Sequence, residues 1–367
     1  MRAAARTPTD AVAARPHFAG DGVEPAAWRE LRRSLSPAAG LYHPEGAECA
    51  ARATPDNQRY ASVRPAGVLA CATEGDVAAA IRWCAKHGVT FAPRSGGHNY
   101  AGYSTTPGLV ISLRALKGVV PQGRRLRLEG GATNSDVYAA RAANLYFPGG
   151  RCPDVGVAGL TLGGGLGFND RKWGLTCDRL TETRVVLADG TLVRAAHDEN
   201  ADLFWACPGG AGGNFGINTG FVFDAVSVAR LRATVFDLTF ALDAGLKVME
   251  ELRHILDADR DNDFDVRIGF KHAGDGTTLW LLGQRLGDEN ALRRLLTPLL
   301  RLRPTRTFIE ERGFWSAQDY LMEPLGAKEA YAPSPLSPTS GPLPTRWPPS
   351  PTGHAAGSRD PAGPPAT

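Results

Sequence analysis

Two short stretches hold the residues best suited to do chemistry. One is Pro93-Arg94-Ser95-Gly96-Gly97-His98-Asn99-Tyr100. The other is Gly149-Gly150-Arg151-Cys152-Pro153-Asp154-Val155-Gly156-Val157-Ala158-Gly159, running on into Leu162-Gly163-Gly164-Gly165-Leu166-Gly167. Each combines a glycine run with one side chain, His98 or Cys152, that can bond covalently to an electrophile. Glycine lets backbone approach a ligand closely, and successive N–H groups in such loops form nests for a large anion such as a pyrophosphate. A third stretch, Gly209-Gly210-Ala211-Gly212-Gly213-Asn214-Phe215-Gly216-Ile217, repeats the composition. Tight turns alone account poorly for three such loops, since each glycine costs roughly 0.5–1 kcal/mol wherever an alanine would serve.

The spacing excludes the commonest nucleotide sites. A G-x-G-x-x-G fingerprint starting at Gly163 needs its third glycine at Phe168, and one starting at Gly210 needs it at Phe215. No GK[ST] of a phosphate-binding P-loop occurs. The six cysteines (Cys49, Cys71, Cys84, Cys152, Cys177, Cys207) form no C-x-x-C pair, so neither a metal site nor a thioredoxin-like motif is expected, and Cys71 and Cys84 read as core.

The elements around these stretches alternate strand and helix. Val68–Ala72 reads as a strand and Thr73–His87 as a helix, with Thr73 as cap, Asp76 in the first turn and Gly88 just past the end. Val89–Ala92 is the next strand, so the His98 stretch leaves from the tip of a βαβ-like unit. Further strands are expected at Leu109–Leu113, Arg125–Glu129 and Thr219–Phe223, with helices at Glu24–Ser34, Asn134–Ala143 and Asn200–Ala206. Asp189-Gly190, between Arg184–Ala188 and Thr191–Arg194, predicts a hairpin closed by a type I′ turn. From about Ser227 the glycine loops stop. Strands at Thr234–Phe240, Asp265–Lys271 and Thr277–Gly283, with helices at Ala244–Leu256 and Asp288–Leu302, predict a second domain of β-α-β-β-α order. Pro333–Thr367 holds eleven prolines and little periodic apolar character, which predicts disorder.

At 367 residues the chain can fill two domains. A net charge of +3 gives no reason to expect a nucleic-acid partner. No run of about 18 apolar residues occurs, and no apolar segment follows the basic start, so neither a membrane partner nor a signal peptide is expected and the compartment reads as cytoplasmic.

Arg94-Ser95-Gly96-Gly97-His98, Gly150–Val157 and Leu162–Gly167 together resemble the berberine bridge enzyme-like FAD-linked oxidases, flavoproteins of the vanillyl-alcohol oxidase type with a PCMH-type FAD-binding domain. The similarity continues through Trp173-Gly174-Leu175, Cys177-Asp178-Arg179-Leu180, Val186–Gly190, Asp202–Ala206 and Gly212–Ile217. It runs through residues 60–225, and through 226–325 only in the order of elements.

The resemblance implies an α+β fold: an FAD-binding domain of two α/β subdomains and a partial substrate domain on an antiparallel sheet. Its boundaries would be 1–48 for a lead-in with one helix, 49–226 for the FAD domain, 227–332 for an incomplete substrate domain and 333–367 for the tail. It implies a bicovalent FAD, joined by His98 to the flavin 8α methyl and by Cys152 to C6. Backbone of Arg94, Ser95, Gly96, Gly97, Gly156, Val157, Gly159, Gly163, Gly164 and Gly165 would line the cofactor, with Gly216 and Ile217 touching it from the last loop. Val155 matches a position that gates oxygen, and a valine there implies an oxidase. The activity implied is hydride transfer from the carbinol carbon of a small molecule, a carbohydrate or secondary metabolite, with O2 as acceptor and H2O2 as product. In this family the base comes from the substrate domain or from a tyrosine in a C-terminal segment that returns to the flavin. No matching motif follows Tyr331, which reads as a truncated or frameshifted chain, so no catalytic base is assigned; Tyr320, Glu310 and Glu311 are the nearest candidates. A catalytically impaired flavin-binding remnant is therefore the alternative, and a nucleotide-binding module without flavin a third.

Overall fold

The computed structural model describes residues 23–324, apart from residues 211 and 274–275 and the side chain of residue 273. The tail expected from residue 333 and the lead-in before residue 23 lie outside the described residues. Strands β1 (Gly40–Tyr42), β2 (Gly67–Ala70), β3 (Phe91–Arg94) and β4 (Leu109–Ser112) form a sheet of order β1-β2-β4-β3. β2, β3 and β4 run parallel, and β1 pairs antiparallel with β2. The apolar runs of β2 and β4 are buried on both sides, as parallel strands must be. One face packs on the helix Glu74–His87 through Val77, Ala80, Ile81 and Cys84; the other meets Cys49 and Ala53 of the helix Ala47–Ala53.

That long helix has local start and stop signals. Thr73 Oγ1 accepts from the Asp76 N–H at 3.1 Å, Asp76 Oδ2 accepts from the Thr73 N–H at 2.8 Å, and Gly88 closes it at φ +65°. Burial of Asp76 opposes its charge, but hydrogen bonds from Ser36 and Thr73 outweigh this and hold the carboxyl below its ordinary range.

The chain continues through β5 (Val119–Gln122), β6 (Arg125–Glu129), β7 (Leu145–Tyr146), β8 (Leu180–Val186), β9 (Leu192–Ala196), β10 (Ile217–Asp224) and β11 (Val226–Ser227). Five of these make an antiparallel sheet of order β5-β6-β10-β8-β9, and β7 pairs with β11 as a short ribbon. The β8–β9 turn differs from the expected type I′. Only Gly190 takes positive φ, at +82°, while the Leu187 carbonyl accepts from the Gly190 N–H at 2.9 Å and Asp189 Oδ1 accepts from the Thr191 N–H at 2.7 Å. A longer loop with a single left-handed residue therefore replaces the two-residue turn.

A third sheet, order β13-β14-β12-β15, is antiparallel throughout: β12 (Arg232–Ala241), β13 (Phe264–Ala273), β14 (Gly276–Leu286) and β15 (Arg306–Gly313). Phe236, Leu238, Phe240, Phe264, Leu279, Leu281 and Ile309 face the helix Gly245–Ala258 and the helices that follow β14. The single helix expected over Asp288–Leu302 is two, Glu289–Leu295 and Thr297–Arg301. Pro298 lacks the N–H needed to continue the first, and its fixed φ suits the first turn of the second. β15 and the helix Phe314–Leu321 extend the expected β-α-β-β-α order.

Candidate functional site

The His98 loop leaves the C-terminal end of β3, the end at which ligands bind in parallel sheets. Arg94 ends that strand with its guanidinium turned into the protein, donating from Nε to the Ser104 carbonyl at 2.7 Å and from Nη1 to the Arg52 carbonyl at 2.8 Å. Burial lowers its pKa to about 10. Gly97 takes φ +87°, open to glycine at little cost, and its carbonyl accepts from Asp56 N–H at 3.3 Å and Ser104 Oγ at 3.2 Å. His98 Nδ1 lies 3.1 Å from Asp56 Oδ2, both side chains half-buried.

Asn134 holds the Cys152 loop from behind. Its Nδ2 donates to the Cys152 carbonyl at 2.8 Å and its backbone N–H to the Val155 carbonyl at 3.1 Å. Val157 N–H donates to the Ala132 carbonyl at 2.9 Å, which starts the helix Val157–Leu162. Cys152 is a half-buried free thiol. Burial, together with the carboxylates of Glu323, Asp56 and Asp154, pushes it above the usual thiol range. Gly163 ends the helix, and Gly164 and Gly165, at φ +100° and +88°, turn the chain back so that Thr176 Oγ1 reaches the Pro148 carbonyl at 2.7 Å.

The two motifs meet backbone to backbone. A Cβ on Gly96 would lie 2.5 Å from the Asp154 carbonyl oxygen and closer still to the Gly156 nitrogen. A Cβ on Gly156 would lie 2.7 Å from Ser95 Cβ. The third loop joins them: Gly213 approaches Pro93 and Gly212 approaches Leu162, each as close as a Cβ contact of 3.6–3.7 Å. Gly216, at φ +137°, packs against Val186, and Ile217 enters the core as the first residue of β10.

The convergence leaves polar capacity unspent. Arg94 Nη2, Ser95 Oγ and Arg151 Nη1, all in the two motifs, are buried with no partner among the described residues. A Cβ on exposed Gly159 would meet nothing within 4 Å, so the first turn of its helix faces open space. Orphaned donors and an open glycine face fit a large anionic cofactor with backbone-lined phosphates.

Residues 65–196 match the FAD binding domain family. The chain is 32% identical over 278 residues to an uncharacterized FAD-linked oxidoreductase of Bacillus subtilis, YgaK, covering 73% of this chain and 60% of that protein. The chain is a relative of the FAD-linked oxidoreductases. Xylooligosaccharide oxidase of Thermothelomyces thermophilus is 32% identical over 257 residues, covering 68% of this chain and 51% of that one. Among solved structures, berberine bridge enzyme-like 1 of Physcomitrella patens superposes with a TM-score of 0.71 at 27% identity, over 78% of this chain and 63% of that one. The chain thus spans less than two thirds of each of these relatives. It carries the FAD-binding domain, and its fold is that of the PCMH-type flavoproteins.

Several residues of the site had no sequence signal. Asp56 lies 42 positions before His98, and β2, the long helix and β3 bring the two together. Glu323 reaches the Cys152 loop from the far end of the described chain: its N–H donates to the Arg151 carbonyl at 2.9 Å, and its Oε1 accepts from Arg151 Nε at 2.7 Å. The candidate bases separate. Glu311 lies on the helix-covered face of the third sheet, accepting from Glu289 N–H and ion-paired with Arg232, whose hydrogen bond holds its carboxyl below the ordinary range. On the opposite face Glu310 pairs with Arg312 at 2.9 Å, and Arg312 lies 4.8 Å over the Tyr320 ring. A cavity of about 610 Å3 lies elsewhere, lined by residues including Lys172, Asp263, Arg232 and Glu311. Those charges are spent on each other, Lys172 with Asp263 and Arg232 with Glu311, so the glycine loops remain the stronger candidate. No described helix is long and apolar enough to cross a membrane.

Proposed function

We propose that the chain holds FAD covalently through His98 and Cys152 and oxidises the alcohol carbon of a small molecule. The observation that carries this is the backbone contact of Gly96 with Gly156, which joins the two loops bearing the two attachment side chains. When bound, the flavin would supply a hydride acceptor, with O2 as the final acceptor and H2O2 as product. The residues of the chain bind and orient. Gly96, Gly97, Gly156, Gly159 and Gly163 would offer backbone to the cofactor, with Gly164, Gly165, Gly216 and Ile217 shaping the loops behind them. Ser95 Oγ is an unspent donor beside Gly156. Val155 stands next to the Cys152 attachment point, where a small side chain leaves O2 a path. Two tethers free the site from gripping the ring system on every side, so a bulky substrate can reach it.

The test is retention of colour. Purified protein is expected to be yellow and to stay yellow after acid or detergent denaturation. His98→Ala and Cys152→Ala should each keep flavin through the other link, and the double variant should release it. Complete release from either single variant would refute two-point attachment. Oxygen consumption with a panel of sugars and alcohols then reads activity and substrate together, and separates an oxidase from an inert flavin binder.

A further inference from the structure

We propose that Asp56 is the positioning residue that readies His98 for its bond to the flavin, an inference that rests on the covalent reading above. Asp56 Oδ2 lies 3.1 Å from His98 Nδ1, with side chains 22% and 16% exposed. The backbone that carries each partner is tied to the other segment. Asp56 N–H donates to the Gly97 carbonyl at 3.3 Å, Asn57 Nδ2 donates to the Tyr100 carbonyl at 3.4 Å, and Arg94 Nη1 donates to the Arg52 carbonyl at 2.8 Å. Residues 52–57 and 94–100 thus form one hydrogen-bonded unit that holds a carboxylate against an imidazole.

A carboxylate on one ring nitrogen keeps the proton there, and the lone pair then sits on the other nitrogen. Nδ1 faces Asp56 and carries the proton, so Nε2 is the nucleophile. Attachment forms an N–C bond to the 8α methyl carbon. It breaks one methyl C–H bond and, once the ring is an imidazolium, the N–H bond facing Asp56. The Asp56 carboxylate stabilises that cation and receives its proton. Two electrons and two protons in all pass to the isoalloxazine, by way of solvent for the protons. Dioxygen removes them as H2O2 and restores the oxidised flavin. Asp56 acts through His98 throughout and touches no substrate.

The experiment uses Cys152→Ala as parent, so that His98 is the one remaining tether. Flavin-free parent, Asp56→Asn and Asp56→Glu proteins are given FAD in air, and flavin fluorescence of the denatured protein band is followed over time. The parent is expected to attach flavin. Asp56→Asn should turn yellow when native yet attach at least tenfold more slowly, and Asp56→Glu should recover most of the rate. A merely structural role would not separate Asn from Glu at equal thermal midpoints. Equal attachment rates in the parent and Asp56→Asn would overturn the role of Asp56 and leave covalent attachment standing. A parent that releases all its flavin would overturn the His98 link itself, and this inference with it. Should Asp56→Asn not accumulate as folded protein, Asp56→Ser is judged by the same two criteria.

Discussion

Gly96→Ala and Gly159→Ala separate the two tasks a glycine performs in these loops. At Gly96 a methyl would lie 2.5 Å from the Asp154 carbonyl oxygen, with the Gly156 nitrogen nearer still. Non-bonded atoms settle near 3.5 Å, so the loops must part by about 1 Å. Both obstacles are backbone, and that backbone is tied by Asn134 N–H to the Val155 carbonyl and Val157 N–H to the Ala132 carbonyl, so it cannot step aside cheaply. Overpacking of this kind costs roughly 1–3 kcal/mol. For a chain of this length 2 kcal/mol lowers the thermal midpoint by roughly 3 °C. At Gly159 a methyl meets nothing within 4 Å. There an alanine in a helix gains up to about 1 kcal/mol. The assay is thermal unfolding of flavin-free protein, paired with the flavin-to-protein absorbance ratio of loaded protein. Gly96→Ala should lose stability with or without flavin. Gly159→Ala should keep or raise its flavin-free stability while its flavin ratio falls, because the methyl occupies space the cofactor needs. Full flavin in Gly159→Ala, or an undisturbed midpoint in Gly96→Ala, would refute the assignment of that glycine.

Three further outcomes are expected. Burial and the Glu323, Asp56 and Asp154 carboxylates raise the Cys152 thiol, so its alkylation in flavin-free protein, followed by peptide mass, should be slow at neutral pH and climb in alkali. Glu323→Gln should speed it, and an unchanged rate would remove Glu323 from the account. Asp265 is pushed up to about 7, by burial first and then by the Asp170 carboxylate. A folded-state value above the unfolded value of about 3.9 means its contribution is complete below about pH 4 and is lost as pH rises through 7. The stability difference between parent and Asp265→Asn should therefore change across that window in urea titrations, and a flat difference would refute the burial argument. Tyr146→Phe removes a hydroxyl that donates to the Phe168 carbonyl at 2.8 Å and accepts from Asn169 Nδ2 at 3.4 Å. Its site is buried, so chemical unfolding should register a loss of roughly 1–3 kcal/mol.

Features written in neighbouring residues were legible, and features made by distant ones were not. Thr73, Asp76 and Gly88 announce the helix Glu74–His87 because its caps are satisfied within three residues. Asp189-Gly190 announces a turn, but dipeptide preference is blind to loop length, and only Gly190 needed positive φ. The helix break after Leu295 was written in Pro298 and hidden by the leucine periodicity around it. β15 was obscured for another reason. As an edge strand it carries Arg306, Glu310, Glu311 and Arg312, and its one partner, β12, lies some seventy positions earlier. In the site the same divide holds. The motif residues stand out by type, a histidine and a cysteine each set in a glycine run. The approach of Gly96 to Gly156 and the contact of Asp56 with His98 are products of packing, and no local pattern encodes them.

The place where the two loops meet has a mechanical consequence. The His98 loop springs from the parallel sheet, while the Cys152 loop leads into the helix that packs on the antiparallel one through β10. A flavin bonded at both ends would be a staple between them, closing a covalent ring through about 55 residues of chain that persists after denaturation. By the loop-closure argument used for disulfides, such a ring removes roughly 4 kcal/mol of freedom from the unfolded chain. That gain is independent of any contact the flavin makes in the folded state. Severing one bond while leaving the other would forfeit it, so each single-tether variant should unfold more readily than the doubly bonded protein even with its flavin stoichiometry intact.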